Sequence, residues 1–209
     1  MKRILFQGDS ITDCGRNRDS LYNLGGGYPN LVGCYLAAEY PGAYECINKG
    51  ISGNRVVDVY ARIKKDIINL QPDVMSIMIG VNDVLHEIFH QNGVSTEKYE
   101  RVYDWMIGEI KEALPEIKIM ILGPYLLKGS SSEEHWEEFR SGVEEKAAAA
   151  KRIAEKYDLP FVDLMTAFDE AAAKYPDGTW SVDGVHAKNA GKELIKREWL
   201  RCFEKHFVE

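Results

Sequence analysis

Four short stretches of this sequence carry residues suited to acyl transfer. Ser10 lies in Gly8-Asp9-Ser10-Ile11-Thr12-Asp13, Gly53 in Ser52-Gly53-Asn54, Asn82 in Gly80-Val81-Asn82-Asp83, and His186 in Asp183-Gly184-Val185-His186. A serine hydroxyl is a weak nucleophile until a neutral imidazole takes its proton. The imidazole in turn needs a partner that fixes its tautomer and stabilises the imidazolium that forms. Asp183, three residues before His186, can reach the Nδ1 side without long-range help. A tetrahedral oxyanion needs donors already aimed at it, each worth about 3 kcal/mol of barrier. The backbone N–H groups of Ser10 and Gly53 and the side-chain amide of Asn82 can supply three, and a glycine lets the backbone approach closely. On this reading Ser10 is the nucleophile, His186 its base and Asp183 the orienting acid, with Ser10, Gly53 and Asn82 as the oxyanion hole.

Each residue also has a plainer reading. Ser10 can cap a helix, Gly53 can end a strand, and Asn82 can cap another helix. Asp9 and Asp13 can ligate a metal, but more simply they hold the Ser10 turn through hydrogen bonds. The competing chemistry is His86-Glu87-Ile88-Phe89-His90, a literal H-E-x-x-H, which on a helix places two imidazoles on one face beside a Glu base. Against it, Gln91-Asn92-Gly93 would end a helix at once and no third ligand is near, whereas a catalytic zinc takes three protein ligands. The segment reads instead as a connection beyond Asn82, lining the substrate. The metal expectation is therefore none, and no cofactor is implied. A third class, a flavodoxin-like binder holding a phosphate with Ser10 and Thr12, leaves Asp183 and His186 without a role.

The surrounding elements put these residues where a site belongs. Residues 3–7, 44–48, 74–79, 118–122 and 160–162 read as short apolar strands. Between them fall helical patterns over residues 28–40, 56–70, 96–114 and 132–157, and two more follow near 166–175 and 189–204. Ser95 is placed to cap the third of these. Strands that alternate with helices predict a three-layer α/β/α sandwich on a five-stranded parallel sheet, one domain over residues 1–209. With strand order 2-1-3-4-5, ligands bind outside the carboxyl ends of the first and third strands. Ser10 and Asn82 follow those two strands.

The same blocks resemble the SGNH (GDSL-type) hydrolases, named for blocks carrying Ser, Gly, Asn and His. GDSIT, SGN, GVND and DGVH occur here in that order and cover nearly the whole chain. The longer strings GDSITDCGR, NKGISGN and IMIGVND are similar to intracellular carbohydrate acetylesterases of that family, notably acetylxylan esterases. The resemblance implies the flavodoxin-like SGNH fold, a serine esterase and deacetylation of a sugar or oligosaccharide. Thioesterase or lysophospholipase activity stays open beside it. Relatives often carry a proline after the His, where this chain has Ala187. Tyr28, Tyr125 and Trp180 are placed to line a substrate pocket, Trp180 by stacking on a sugar ring. Leu85, Ile88 and Phe89 are placed to wall an acyl group.

Composition bounds the rest. With 209 residues, 45 % of them hydrophobic and 28 % charged, the chain can bury a sizeable core. A net charge of −7 argues against a nucleic-acid partner, which requires a basic surface. No apolar run approaches the roughly 18 residues of a membrane span, and the apolar start stops at Gln7, short of a signal segment. Cys14, Cys34, Cys46 and Cys202 are scattered, as in a reduced cytoplasmic protein. Trp199, Phe203 and Phe207 near the C-terminus are candidates for a homo-oligomer interface.

Overall fold

The computed structural model describes residues 1–208. Its strands are β1 (Lys2–Gly8), β2 (Tyr44–Asn48), β3 (Val74–Met78), β4 (Lys118–Leu122) and β5 (Phe161–Val162). They form one parallel sheet in the order β2-β1-β3-β4-β5. The order in which strands are added reverses about β1: the connection from β1 leads to β2 on one side, and β3 then returns to the other. The crevice that such a reversal opens lies at the carboxyl ends of β1 and β3.

The pleat divides the strand side chains between two cores. On β1, Ile4 and Phe6 face one core and Leu5 the other, all with no exposed surface. Every residue of β3 is buried, because helices cover both faces of the sheet. On one side pack α1 (Ser10–Asp13), α2 (Tyr28–Glu39), α8 (Leu164–Ala172) and α9 (Asn189–Phe207); on the other pack α3 (Val56–Tyr60), α4 (Ile63–Asp66) and α6 (Thr96–Ala113). Helix α7 (Trp136–Lys156) serves both cores, with Phe139 and Val143 in the first and Ala150 and Ile153 in the second. Among the described residues no helix is long and apolar enough to cross a membrane.

The structure departs from the sequence reading in four places. The pattern over residues 56–70 is three pieces, α3, α4 and a 3-10 turn at Ile68–Leu70. Val56, Val59, Ile63 and Ile67 stay on the buried side across the breaks, so the apolar period runs on through them. Helix α7 starts at Trp136, because the Ser132 hydroxyl donates to Leu127 O at 2.7 Å and so stabilises a loop instead of capping the helix. The segment after Asn82 is not a loose connection but helix α5 (Val81–His90), ended by Gln91 in the left-handed region. Finally, Trp199, Phe203 and Phe207 are core residues. Trp199 lies 5.5 Å from Phe6 and 4.9 Å from Phe203 between ring centroids, and neither Trp199 nor Phe203 has exposed surface. They therefore supply no interface.

Candidate active site

The Ser10 turn begins where β1 must pass close to β3. A Cβ on Gly8 would stand 2.4 Å from Met78 O, so only glycine fits. Asp9 then caps α1, its Oδ1 accepting from Ile11 N at 3.0 Å. This fixes Ser10 at the first helical position, where backbone N–H groups have no partner within the helix. Asp13, at the end of α1, binds the second loop: its Oδ2 accepts from Ser52 N at 3.0 Å and from Arg18 Nη2 at 2.6 Å. Burial pushes the Asp13 carboxyl up, but Arg18 and Ser52 outweigh it and hold the group below its ordinary value. Asn48 completes the tie, donating to Thr12 O at 2.6 Å and to Leu24 O at 2.9 Å.

Gly53 follows in the left-handed region, with φ +81°, a conformation a side chain would strain. Asn82 sits in the first turn of α5 and donates through Nδ2 to Asn54 O at 3.1 Å. One hydrogen of the amide orients the group and the second stays available to a ligand. The loops after β1, β2 and β3 thus converge, each bonded to its neighbour.

The fourth stretch comes from far along the chain. His186 Nε2 lies 2.8 Å from Ser10 Oγ, and His186 Nδ1 lies 2.5 Å from Asp183 Oδ2. Asp183 Oδ1 accepts from the backbone N–H of Val185 at 2.9 Å and of His186 at 2.7 Å. Burial opposes the Asp183 charge, but His186 and these two amides prevail and hold its carboxyl far below the usual range. In return, the Asp183 hydrogen bond raises the His186 imidazole above its ordinary value, against a smaller opposing effect of burial. With Asp183 ionised, Nδ1 carries the proton and Nε2 is left to accept from the Ser10 hydroxyl.

Two buried carboxyls lie behind these groups. Asp9 is 1 % exposed with Oδ2 unpartnered, and burial pushes it up to about 7. Burial likewise pushes Asp83 up to about 8, although both its oxygens accept from Val56 N. An acid raised in this way keeps its proton in the fold while the unfolded chain ionises from about pH 4 upward, so each costs stability as pH rises to 7. Such costs gather at functional sites.

Of the residues placed at the pocket from sequence, Ser10, Asp183 and His186 come together, and Gly53 and Asn82 stand on loops that meet at the same strand ends. The three aromatic residues stand differently around the site. Tyr125 has no exposed surface to offer a ligand; its hydroxyl donates to Val185 O at 2.8 Å and its ring stacks on Phe168 at 4.0 Å. It therefore holds the loop that carries His186. Tyr28 is buried too, bonded to Thr12 Oγ1 at 3.2 Å, and reaches the site only in the lining of a small cleft beside Ser10. Trp180 lines a separate groove with Tyr175, Leu194 and Cys202, and its Nε1 donates to Tyr175 O. Ser181 has no motif to announce it, yet its buried hydroxyl donates to His186 O at 2.8 Å and accepts from Gly184 N at 3.0 Å.

The H-E-x-x-H segment forms the last turns of α5, with the His86 and His90 rings edge to face at 5.4 Å. Among the described residues no group of three or more His, Cys, Asp or Glu stands in ligating range, which leaves the zinc reading without its third ligand.

Residues 6–194 match the profile of the GDSL-like Lipase/Acylhydrolase family. The chain belongs to that family. It is 35 % identical over 210 residues to an acetylxylan esterase of Geobacillus stearothermophilus, covering 96 % of this chain and 93 % of that protein. The crystal structure of Axe2, an acetylxylan esterase from the same organism, superposes with a TM-score of 0.87 at 34 % identity, covering 100 % of this chain and 96 % of that one. A GDSL-like lipase from Parabacteroides merdae gives a TM-score of 0.91 at 34 % identity, covering 96 % and 94 %. Two further Axe2 structures are catalytic mutants, one a Ser-to-Ala and one an Asp-to-Ala replacement. The five-stranded sheet and its helices are the SGNH hydrolase fold of these relatives, and family membership makes this chain an esterase of the SGNH type.

Proposed function

We propose that this protein is a serine esterase that removes acetyl groups from a sugar or oligosaccharide through an acyl-enzyme on Ser10. The observation that carries the reading is the unbroken chain from Ser10 Oγ through His186 to Asp183, at 2.8 Å and 2.5 Å. Ser10 Oγ forms a bond to the acyl carbon while its proton passes to His186 Nε2. The carbonyl π electrons move onto oxygen, which the amides of Ser10, Gly53 and Asn82 receive. Collapse breaks the bond to the alcohol oxygen, and His186 returns the proton to that leaving group. Water then repeats the sequence on the acyl-enzyme, releasing acetate and restoring Ser10. No step calls on a metal or cofactor.

The similarity to acetylxylan esterases supports the acetyl and sugar parts of the reading. Four free cysteines fit a reducing, cytoplasmic setting. The test is a p-nitrophenyl ester series from acetate to octanoate, run beside peracetylated xylose and acetylated xylo-oligosaccharides. Rates are expected to fall roughly tenfold or more from acetate to butyrate, with acetate released from the sugars. Rates that climb with chain length while the sugars stay intact would assign the fold to thioester or lysophospholipid hydrolysis instead.

Asn82→Ala isolates the oxyanion role. The amide meets charge that develops only in the transition state, so the loss is expected in kcat, on the order of a hundredfold. Steady-state kinetics with the acetate ester measure it. A normal kcat with a raised KM would assign Asn82 to substrate positioning.

A further inference from the structure

Two cavities flank His186, and they differ in size and chemistry. One is an open basin of about 620 Å³ whose lining includes Thr179, Asp183, His186, Lys188, Asn189 and Lys192. The other is a narrow cleft of about 30 Å³ that touches both Ser10 and His186. Its lining is completed by Ile11, Cys14, Tyr28, Ala187, Lys192 and Ile195. Neither Gly53 nor Asn82 lines it, so of the three proposed oxyanion donors only Ser10 borders it.

An ester bound at Ser10 presents two substituents besides the oxygen that becomes the oxyanion. The alcohol oxygen must meet His186 to be protonated as it leaves, and a sugar alcohol is large and covered in hydroxyls. Only the open basin has room and polar groups for it. The acyl carbon chain is apolar and bonded directly to the carbon that Ser10 attacks. On a scale where one water takes roughly 10–15 Å³, the cleft of about 30 Å³ has room for an acetyl methyl but not for a long chain.

We infer that the cleft between Cys14 and Ile195 is the acyl pocket, and that its walls confine the enzyme to acetyl esters. The inference rests on the esterase reading above and adds to it the residues that set chain length. It also moves the acyl wall away from Leu85, Ile88 and Phe89. Leu85 and Ile88 pack against the core, and Phe89 meets the ring of His135 at 5.4 Å. Both ends of the cleft are rigid: Ile195 has no exposed surface within α9, and Cys14 is held at the end of α1 with its N–H bonded to Ser10 O. A longer acyl chain therefore meets close-packed side chains instead of a gap that could open cheaply.

Two substitutions can enlarge the cleft without breaking the fold. Cys14 has φ 39° and ψ 48°, a left-handed conformation that glycine adopts more readily, so Cys14→Gly removes a wall while suiting the backbone. Ile195→Val deletes one methylene from the lining, a change cores usually tolerate. The experiment compares kcat/KM for p-nitrophenyl acetate, propionate and butyrate in the parent, both single variants and the double variant, with circular dichroism as the folding control. The butyrate-to-acetate ratio of kcat/KM is expected to rise about tenfold or more in the double variant. Active, folded variants that keep the parent's ratio would overturn the acyl-pocket assignment and leave the esterase reading standing. A parent that prefers butyrate would overturn both the size limit and the acetyl reading, and a parent inert toward every ester would overturn the esterase reading itself.

Discussion

Replacing Ser10 by alanine is expected to lower kcat for ester hydrolysis by on the order of a millionfold, while leaving the thermal transition where it is. The size of the loss follows from the role: without the oxygen there is no acyl-enzyme, and what remains is binding and the oxyanion donors acting on water. The unchanged stability follows from the contacts. The Ser10 hydroxyl bonds to His186 Nε2, whereas the turn itself is held by Asp9, Asp13 and Asn48. Initial rates with p-nitrophenyl acetate, beside a circular dichroism melt, measure both. Turnover near that of the parent in a folded Ser10→Ala variant would remove the nucleophile from the account.

Asp183→Asn carries the second large effect, about ten-thousandfold in kcat at neutral pH. An amide can keep an acceptor toward the Val185 and His186 backbone, so the loop is retained. Turned toward Nδ1, however, its NH2 donates, and the proton is pushed to Nε2, where it blocks acceptance from Ser10. The pH profile separates this from a merely structural loss. His186 must be neutral to act, and Asp183 raises its pKa, so the parent loses activity as pH falls through a value above that of an ordinary imidazole. Without the carboxylate that acid limb moves to lower pH. A variant with the parent's acid limb would contradict the coupling.

The same pair affects stability with opposite signs at its two ends. The depressed Asp183 pKa stabilises the fold above the unfolded carboxylate value and is lost as pH falls through the folded one. The raised His186 pKa stabilises below the unfolded imidazole value and is lost as pH rises through the folded one. The ionic pair thus contributes most in mildly acidic solution, where the imidazolium cannot serve as base. Activity by the proposed mechanism is therefore expected to favour a higher pH range than this part of stability.

Much of this arrangement is legible in the sequence because its signals are local. β2 is bounded by Pro41-Gly42 and Lys49-Gly50, β4 is closed by Gly123-Pro124, and the limits of both match the expected ones. Ser10, Gly53, Asn82 and His186 each follow such a boundary or sit in a short glycine turn, so their type and place can be read together. What stayed hidden depends on distant contacts. Whether Tyr125 faces a ligand or Val185 O is decided by residues sixty positions apart. Trp199 and Phe203 look like interface aromatics in isolation, but Phe6 on β1 and Tyr44 on β2 claim them. The breaks in the 56–70 segment are silent for a different reason: the apolar period continues across them. The acyl cleft is assembled from α1, α2 and α9, and no single stretch of chain encodes its width.

The central claim is that the acyl group passes through Ser10, and an organophosphonate tests it directly. The reagent mimics the tetrahedral state and stays bonded to the oxygen that attacks it. Intact mass spectrometry of the treated protein, followed by peptide mapping, is expected to show one adduct per chain, located at Ser10, in proportion to the activity lost. His186→Ala should label far more slowly, because the serine then lacks its base. Complete labelling of Ser10 with ester hydrolysis undiminished, or activity lost with the adduct on another residue, would contradict the account.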